Sequence, residues 1–432
     1  MKRRILAWMI GVFALALGDW THAANAIDDD VHLGVASCAT GVCHGKLTPQ
    51  KDRNVALNEY RIWSAEDRHA RAYQTLGSAQ SKQIADKLRI PSAQTSDLCL
   101  NCHTDNVKQT LRGPKFQLSD GIQCEACHGG SARWIETHTE AKATHAGNLA
   151  RGMYPTENPA ARADLCLRCH LGADDRFATH EIMGAGHPRL SFELDAFSTN
   201  QPAHYVVDED YVKRKGRIEG FNLWLTGQLE AAGRFSALAS SHWFRGTQPM
   251  YPELAFYTCS ACHHQMDDHR WDRRIVGSSV PPGSLRLQTD HLLVLAATAD
   301  ALDPGSSESI LRAANDFVMA GQRSVAAVTE SSATIGKWAT AKRAEWIARV
   351  FTKSEVGQVR RSLARYAAEG RMGDFAAAEQ TFLGIESLSL YIGDATRIRA
   401  QLDALFKTVE SDRTFNPTQF AAAAKNLLGA LG

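Results

Sequence analysis

No cysteine of this 432-residue chain stands alone, and none occurs after position 262. A disulfide staple in the C-terminal part is therefore excluded. An excess of charge of either sign is also lacking: 48 Lys and Arg against 47 Asp and Glu leave +1. A nucleic-acid partner calls for a basic face, which this balance does not supply. Beyond residues 5–17 no apolar run approaches the ~20 residues that span a bilayer, so no membrane insertion of the mature chain is expected.

The N-terminus reads as a targeting segment. Lys2-Arg3-Arg4 precedes a short apolar stretch, and Ala24-Asn25-Ala26 offers a small-x-small cleavage site. Residues 1–26 are expected to be a cleaved signal peptide. No cysteine follows the site to take a lipid, so the mature chain is expected to be periplasmic. Loss of Lys2, Arg3, Arg4 and Asp19 takes the formal charge to −1.

What is there is a repeated grouping of cysteine with histidine. Cys38/Cys43 precede His44, Cys99/Cys102 precede His103, Cys124/Cys127 precede His128, Cys166/Cys169 precede His170, and Cys259/Cys262 precede His263. Four read C-x-x-C-H and the first C-x-x-x-x-C-H; together they use all 10 cysteines. Two thiols add to the two vinyl groups of a haem, and the adjacent imidazole then becomes the proximal ligand of its iron. A zinc site or a dithiol does not require histidine after the second cysteine each time. The reading is five covalently bound haems c. The long gap of the first motif is expected to bulge, which Gly41 permits. Ten propionates would make the holoprotein more acidic than its formal charge.

Fold class follows from where the motifs fall. Residues 27–277 hold every motif and are expected to form a pentahaem cytochrome c domain of short helices and long loops wrapped around haems. A Pro/Gly/Ser stretch from Gly277 to Ser284 separates it from residues 285–432, a helical domain of unknown role. There Val356, Val359, Leu363 and Tyr366 share one helical face, as do Ile398, Leu402, Leu405 and Val409. Gly370, Gly393 and Asn416-Pro417 punctuate the segments. The whole is mainly α. Having no motif, the helical domain is expected to be dispensable for haem attachment.

A second histidine closes an iron for electron transfer, and an open position admits substrate. The candidate distal ligands are His69, His138, His180, His187 and His204. His264 follows a proximal ligand too closely to reach its own iron's far face. His145, His242 and His269 stand in polar stretches that suit solvated side chains, and His32 and His291 are reserves. Methionines Met183, Met250 and Met266 are a minority alternative.

The chain resembles the multihaem cytochromes c related to the tetrahaem cytochrome of the hydroxylamine oxidation pathway. The resemblance rests on Asn58-Glu59-Tyr60, Trp63 and His69-Ala70, on the stretch from Asp120 to Gly129, and on Leu165-Cys166-Leu167-Arg168-Cys169-His170. It covers roughly residues 32–270 and implies a periplasmic relay of closely packed haems, exchanging electrons with periplasmic or membrane-bound redox proteins. It also implies that His69 ligates the third haem and that any open iron is the one on His103. A fifth motif, a long first motif and the helical extension depart from that pattern. The alternative is an oxidoreductase acting on a small nitrogen or sulfur compound at one open haem. Catalytic residues are not assigned, and a relay is favoured over an enzyme. Intact-mass measurement of the mature chain should find five haem additions, and Cys43→Ser should remove or destabilise the first alone; a count of four in the wild type would assign Cys38 and Cys43 another role.

Overall fold

The computed structural model describes residues 27–51, 55–217, 220–245, 252–263, 276–281 and 283–431. The expected signal peptide, His264, His269, Met250 and Met266 lie outside them. The fold is mainly α, with only isolated β-bridges besides helices among the described residues. In the first half lie α1 (Glu59–Glu66), α2 (Ala79–Leu88), α3 (Asp97–His103), α4 (Cys124–His128), α5 (Pro159–His170), α6 (His180–Ala185) and α7 (Leu194–Asn200). These are short, and the second, third and fourth motifs end α3, α4 and α5. In each, one helical turn sets both cysteines and the histidine on adjoining positions.

Longer helices follow: α8 (Gly220–Ala239), α9 (Asp290–Leu302), α10 (Pro304–Ala320), α11 (Val325–Ile347), α12 (Lys353–Ala368), α13 (Phe375–Ile392), α14 (Arg399–Thr408) and α15 (Pro417–Ala430). The periodic residues of α12 are all buried, and so are the four around α14. Thr352 and Glu355 form a reciprocal cap on α12. Asn416 caps α15, accepting from Thr418 and Gln419 with Pro417 in the first turn.

The apolar core of this bundle crosses the expected boundary at 277/285. Phe221, Trp224, Leu225 and Leu229 of α8 share one buried cluster with α9 to α15. The helix α8 packs on α11 and α13 on one side and on α5 and α7 on the other. Ala163 and Leu167 of α5 meet Leu223 and Ala231 of α8, and Arg234 of α8 pairs with Asp164 of α5. The fourth motif is thereby seated directly on the bundle. The Gly277–Ser284 stretch is no free tether either. Val280 is buried, and Arg286 donates to the carbonyls of Val276, Gly277 and Val280.

Removing the bundle thus strips α8 of the surface that buries it, whatever becomes of haem attachment. We expect truncation after Gly283 to yield an aggregating chain. Trp224→Ala in the full-length protein should cost about 3–5 kcal/mol in guanidinium unfolding followed by far-ultraviolet circular dichroism; an unchanged midpoint would remove α8 from the bundle's core.

Candidate functional site

The first motif lies in turns after the short 3-10 segment Val35–Ser37. His44 N donates to Cys38 O at 3.0 Å, and Cys43 N to Thr40 O at 3.0 Å, so the four intervening residues bulge outward. Gly41 is not the glycine this needs. An added Cβ there would meet nothing within 4 Å, whereas one on Gly45 would sit 1.9 Å from Ala39 O.

Each motif histidine faces another histidine. Ring centroids are 6.2 Å apart for His44 and His138, 6.4 Å for His103 and His187, and 6.2 Å for His128 and His204. The remaining pairs are His170 with His69 and His263 with His180, each at 6.3 Å. Two metal–imidazole bonds of about 2 Å, with about 1.1 Å from each bound nitrogen to its ring centre, make a separation of about 6.3 Å. The spacing fits an iron between the rings. Interplanar angles are 14° at His44/His138, 35° at His180/His263, and 87° to 89° at the other three.

Several of these rings are held by their other nitrogen. His44 Nδ1 lies 2.9 Å from Glu59 Oε2, and His69 Nδ1 lies 2.9 Å from Asp67 Oδ1. Backbone carbonyls serve His103 (Ala72 O, 3.1 Å), His138 (Ile135 O, 2.6 Å) and His187 (Pro188 O, 2.7 Å). A ligating histidine is oriented in this way, with Nε2 left for the metal. Burial, then the neighbouring His204, Lys215 and His44, push His128 down to about 3; burial, then His69, takes His170 to about 4. Both imidazoles are neutral and keep a lone pair, as ligation requires. Hydrogen bonding to Glu59 and Asp67 raises His44 and His69 instead.

The first four motifs line one continuous cavity of about 2910 Å³, together with His69, His138, His187 and His204. That is several times the ~300–1,000 Å³ of a small-molecule pocket. The Cys38 and Cys124 side chains are neighbours, and so are those of Cys102 and Cys169. The first motif therefore adjoins the third, and the second adjoins the fourth. Cys127 lies within electrostatic reach of Cys166. The fifth motif lies outside this cavity, with Cys259, Cys262, His263 and His180 exposed. Among the described residues no three metal-ligating side chains converge, as a structural zinc site would need.

Several expectations change. His69 faces the fourth motif's His170, not the third motif's His128, because Asp67 anchors it in a turn that Gln201 also grips through Asp67 Oδ2. His187 stands against His103, where the resemblance placed any open iron. His145 is no solvated side chain: its Nε2 lies 2.6 Å from Glu157 Oε1 and both groups are mostly buried. His242 is exposed and lies against Trp243. His291 bonds to Gln228 inside the bundle. The second-nitrogen anchors Glu59 and Asp67 went unrecognised, although carboxylates 15 residues after and two before a ligand candidate are a usable signal. So did Glu125, within the third motif, which accepts from Leu33, Gly34 and Ser131 and draws those loops onto it.

Residues 37–129, spanning the first three motifs, match the family model for cytochrome c554 and c-prime. The match supports a c-type cytochrome. No curated protein and no solved structure matches the chain. Among the described residues no helix is long and apolar enough to cross a membrane.

One reserve histidine has a structural part in the fold. His32 is fully buried, with Nδ1 2.7 Å from Asp105 Oδ2 and Nε2 3.0 Å from Ile27 O. Burial opposes its protonation, but Asp105 and the Ile27 carbonyl outweigh that and raise it to about 9. A raised folded-state value contributes stability that is full below pH ~6.5 and lost as pH rises through about 9. The contribution is about 3 kcal/mol. Unfolding free energies at pH 6 and pH 10 should differ by that order in the wild type and much less in His32→Gln; equal differences would assign the pH dependence to other groups.

Proposed function

We propose that this protein is a periplasmic electron relay that carries five haems c. Cys38/Cys43, Cys99/Cys102, Cys124/Cys127, Cys166/Cys169 and Cys259/Cys262 attach them, and His44, His103, His128, His170 and His263 are the proximal ligands. His138, His187, His204, His69 and His180 are the respective distal ligands. Five facing imidazole pairs, one for each motif, at 6.2 to 6.4 Å carry the reading. The family match over the first three motifs supports it.

Bound haem supplies a one-electron ferric/ferrous couple at each pair. The chain's residues do the rest. The thiols fix each macrocycle's position, and their contacts between motifs bring neighbouring sites close. Imidazoles on both faces leave no position for substrate. Glu59 and Asp67 increase the basicity of His44 and His69, which favours the ferric state at those two sites. Burial of the first four sites in one cavity limits solvent access, and the bundle holds the fourth motif through α5 and α8. Donor and acceptor are taken to be periplasmic or membrane-bound redox proteins.

Electron paramagnetic resonance of the oxidised holoprotein should show low-spin ferric iron only. The ligand planes set the splitting of the iron orbitals that π-bond to imidazole, so two classes are expected. The near-parallel pair His44/His138 should give a rhombic signal, and the three perpendicular pairs should give signals with a large maximal g. A high-spin signal that shifts with cyanide or nitric oxide would overturn the closed relay in favour of chemistry at an open iron.

A further inference from the structure

Two of the facing histidines flank one short helix. His180 opens α6, and His187 follows the Gly186 that ends it. The first faces the fifth motif's His263 and the second faces the second motif's His103. Both ends are tied down, the first to the turn before the fifth motif and the second to α2. Glu253 Oε1 accepts from His180 N at 2.7 Å and from Ala255 N at 2.9 Å, fastening the start of α6 to the turn that leads into Cys259. Gln80 Nε2 donates to Gly186 O at 3.0 Å, fastening its end to α2, which packs on α6.

The other sites join differently. Cys38 neighbours Cys124 and Cys102 neighbours Cys169, and these four motifs line the shared cavity. Cys259 and Cys262 are exposed, and the fifth site stands outside the shared cavity. We propose that α6 is the junction joining the fifth haem to the relay at the second. The fifth site is the end that exchanges electrons with an external one-electron carrier protein. This rests on the five-haem relay. Each transfer across α6 moves one electron: the iron held by His103 and His187 is oxidised as that held by His180 and His263 is reduced, with no bond made or broken. The external carrier supplies or removes that electron.

Neighbouring haems sense one another's charge, which gives the test. Two variants of the full-length holoprotein are compared: Cys259→Ser with Cys262→Ser, which removes the fifth attachment, and His180→Met, which keeps it and raises that site's potential by a thioether ligand. Redox titration followed by paramagnetic resonance should show a shifted midpoint at the site on His103 in both, with the sites on His44 and His128 unchanged. Oxidation of the reduced protein by a ferric monohaem cytochrome c, used as the probe carrier, should lose its fast phase in the double variant. A shift at the His44 or His128 site instead, or an unaltered fast phase, would overturn the junction. Intact mass separates the two readings: four haem additions in the wild type with Cys259 and Cys262 unmodified overturn the relay and the junction together, whereas five additions without coupling to the second site overturn the junction alone.

Discussion

Two imidazoles that must meet across a gap of little more than 6 Å constrain this chain more than any other interaction. Each such pair brings together segments remote in sequence: His69 meets His170, His103 meets His187, and His128 meets His204. Short helices and loops can satisfy five such closures at once because they turn often, which long helices cannot. The first half is accordingly broken into elements of a few turns at most before α8, and its buried groups are spent on orienting rings. Asp67, 3% exposed, holds His69 through Oδ1, at both the ring and the backbone N, and is itself held by Gln201 through Oδ2.

The second half obeys a different rule. Its helices bury apolar faces against one another, and α8 belongs to that arrangement although it precedes the last motif. By gripping α5 through Leu223, Ala231 and Arg234, it passes the rigidity of the bundle to the fourth motif. Gly227 allows the approach, since a Cβ there would lie 2.6 Å from Leu194 Cβ on α7. Electron transfer between fixed sites needs little motion, and a stiff support of this kind suits it.

Much of the bundle was legible because apolar spacing at Val356, Val359, Leu363 and Tyr366 is a local signal of helix. The membership of α8 was not, because Phe221, Trp224, Leu225 and Leu229 lie in a helix apolar on most of its surface, and such a helix does not reveal its partner. The motifs were legible for a chemical reason, two thiols and an imidazole in a fixed order. Which histidine faces which motif was not, since that depends on loop paths set by contacts such as Glu125 with Leu33 and Gly34. Resemblance misled at His69 for the same reason: a shared motif does not carry the path of the intervening chain. Gly41 and Gly45 make the point on a smaller scale, the glycine that matters being outside the bulge it enables.

The order in which ring partners occur along the chain bears on assembly. A chain exported N-terminus first presents His44 and then His138 early, but His103 must wait for His187, and His128 for His204. For the last two pairs the sequence is reversed, because His69 and His180 emerge ahead of His170 and His263. On the proposed pairing, residues up to His204 must be across the membrane before the central sites can close. Until then, on the proposed five-haem relay, the second and third irons would each lack a sixth ligand, a reactive form that the finished relay would not contain.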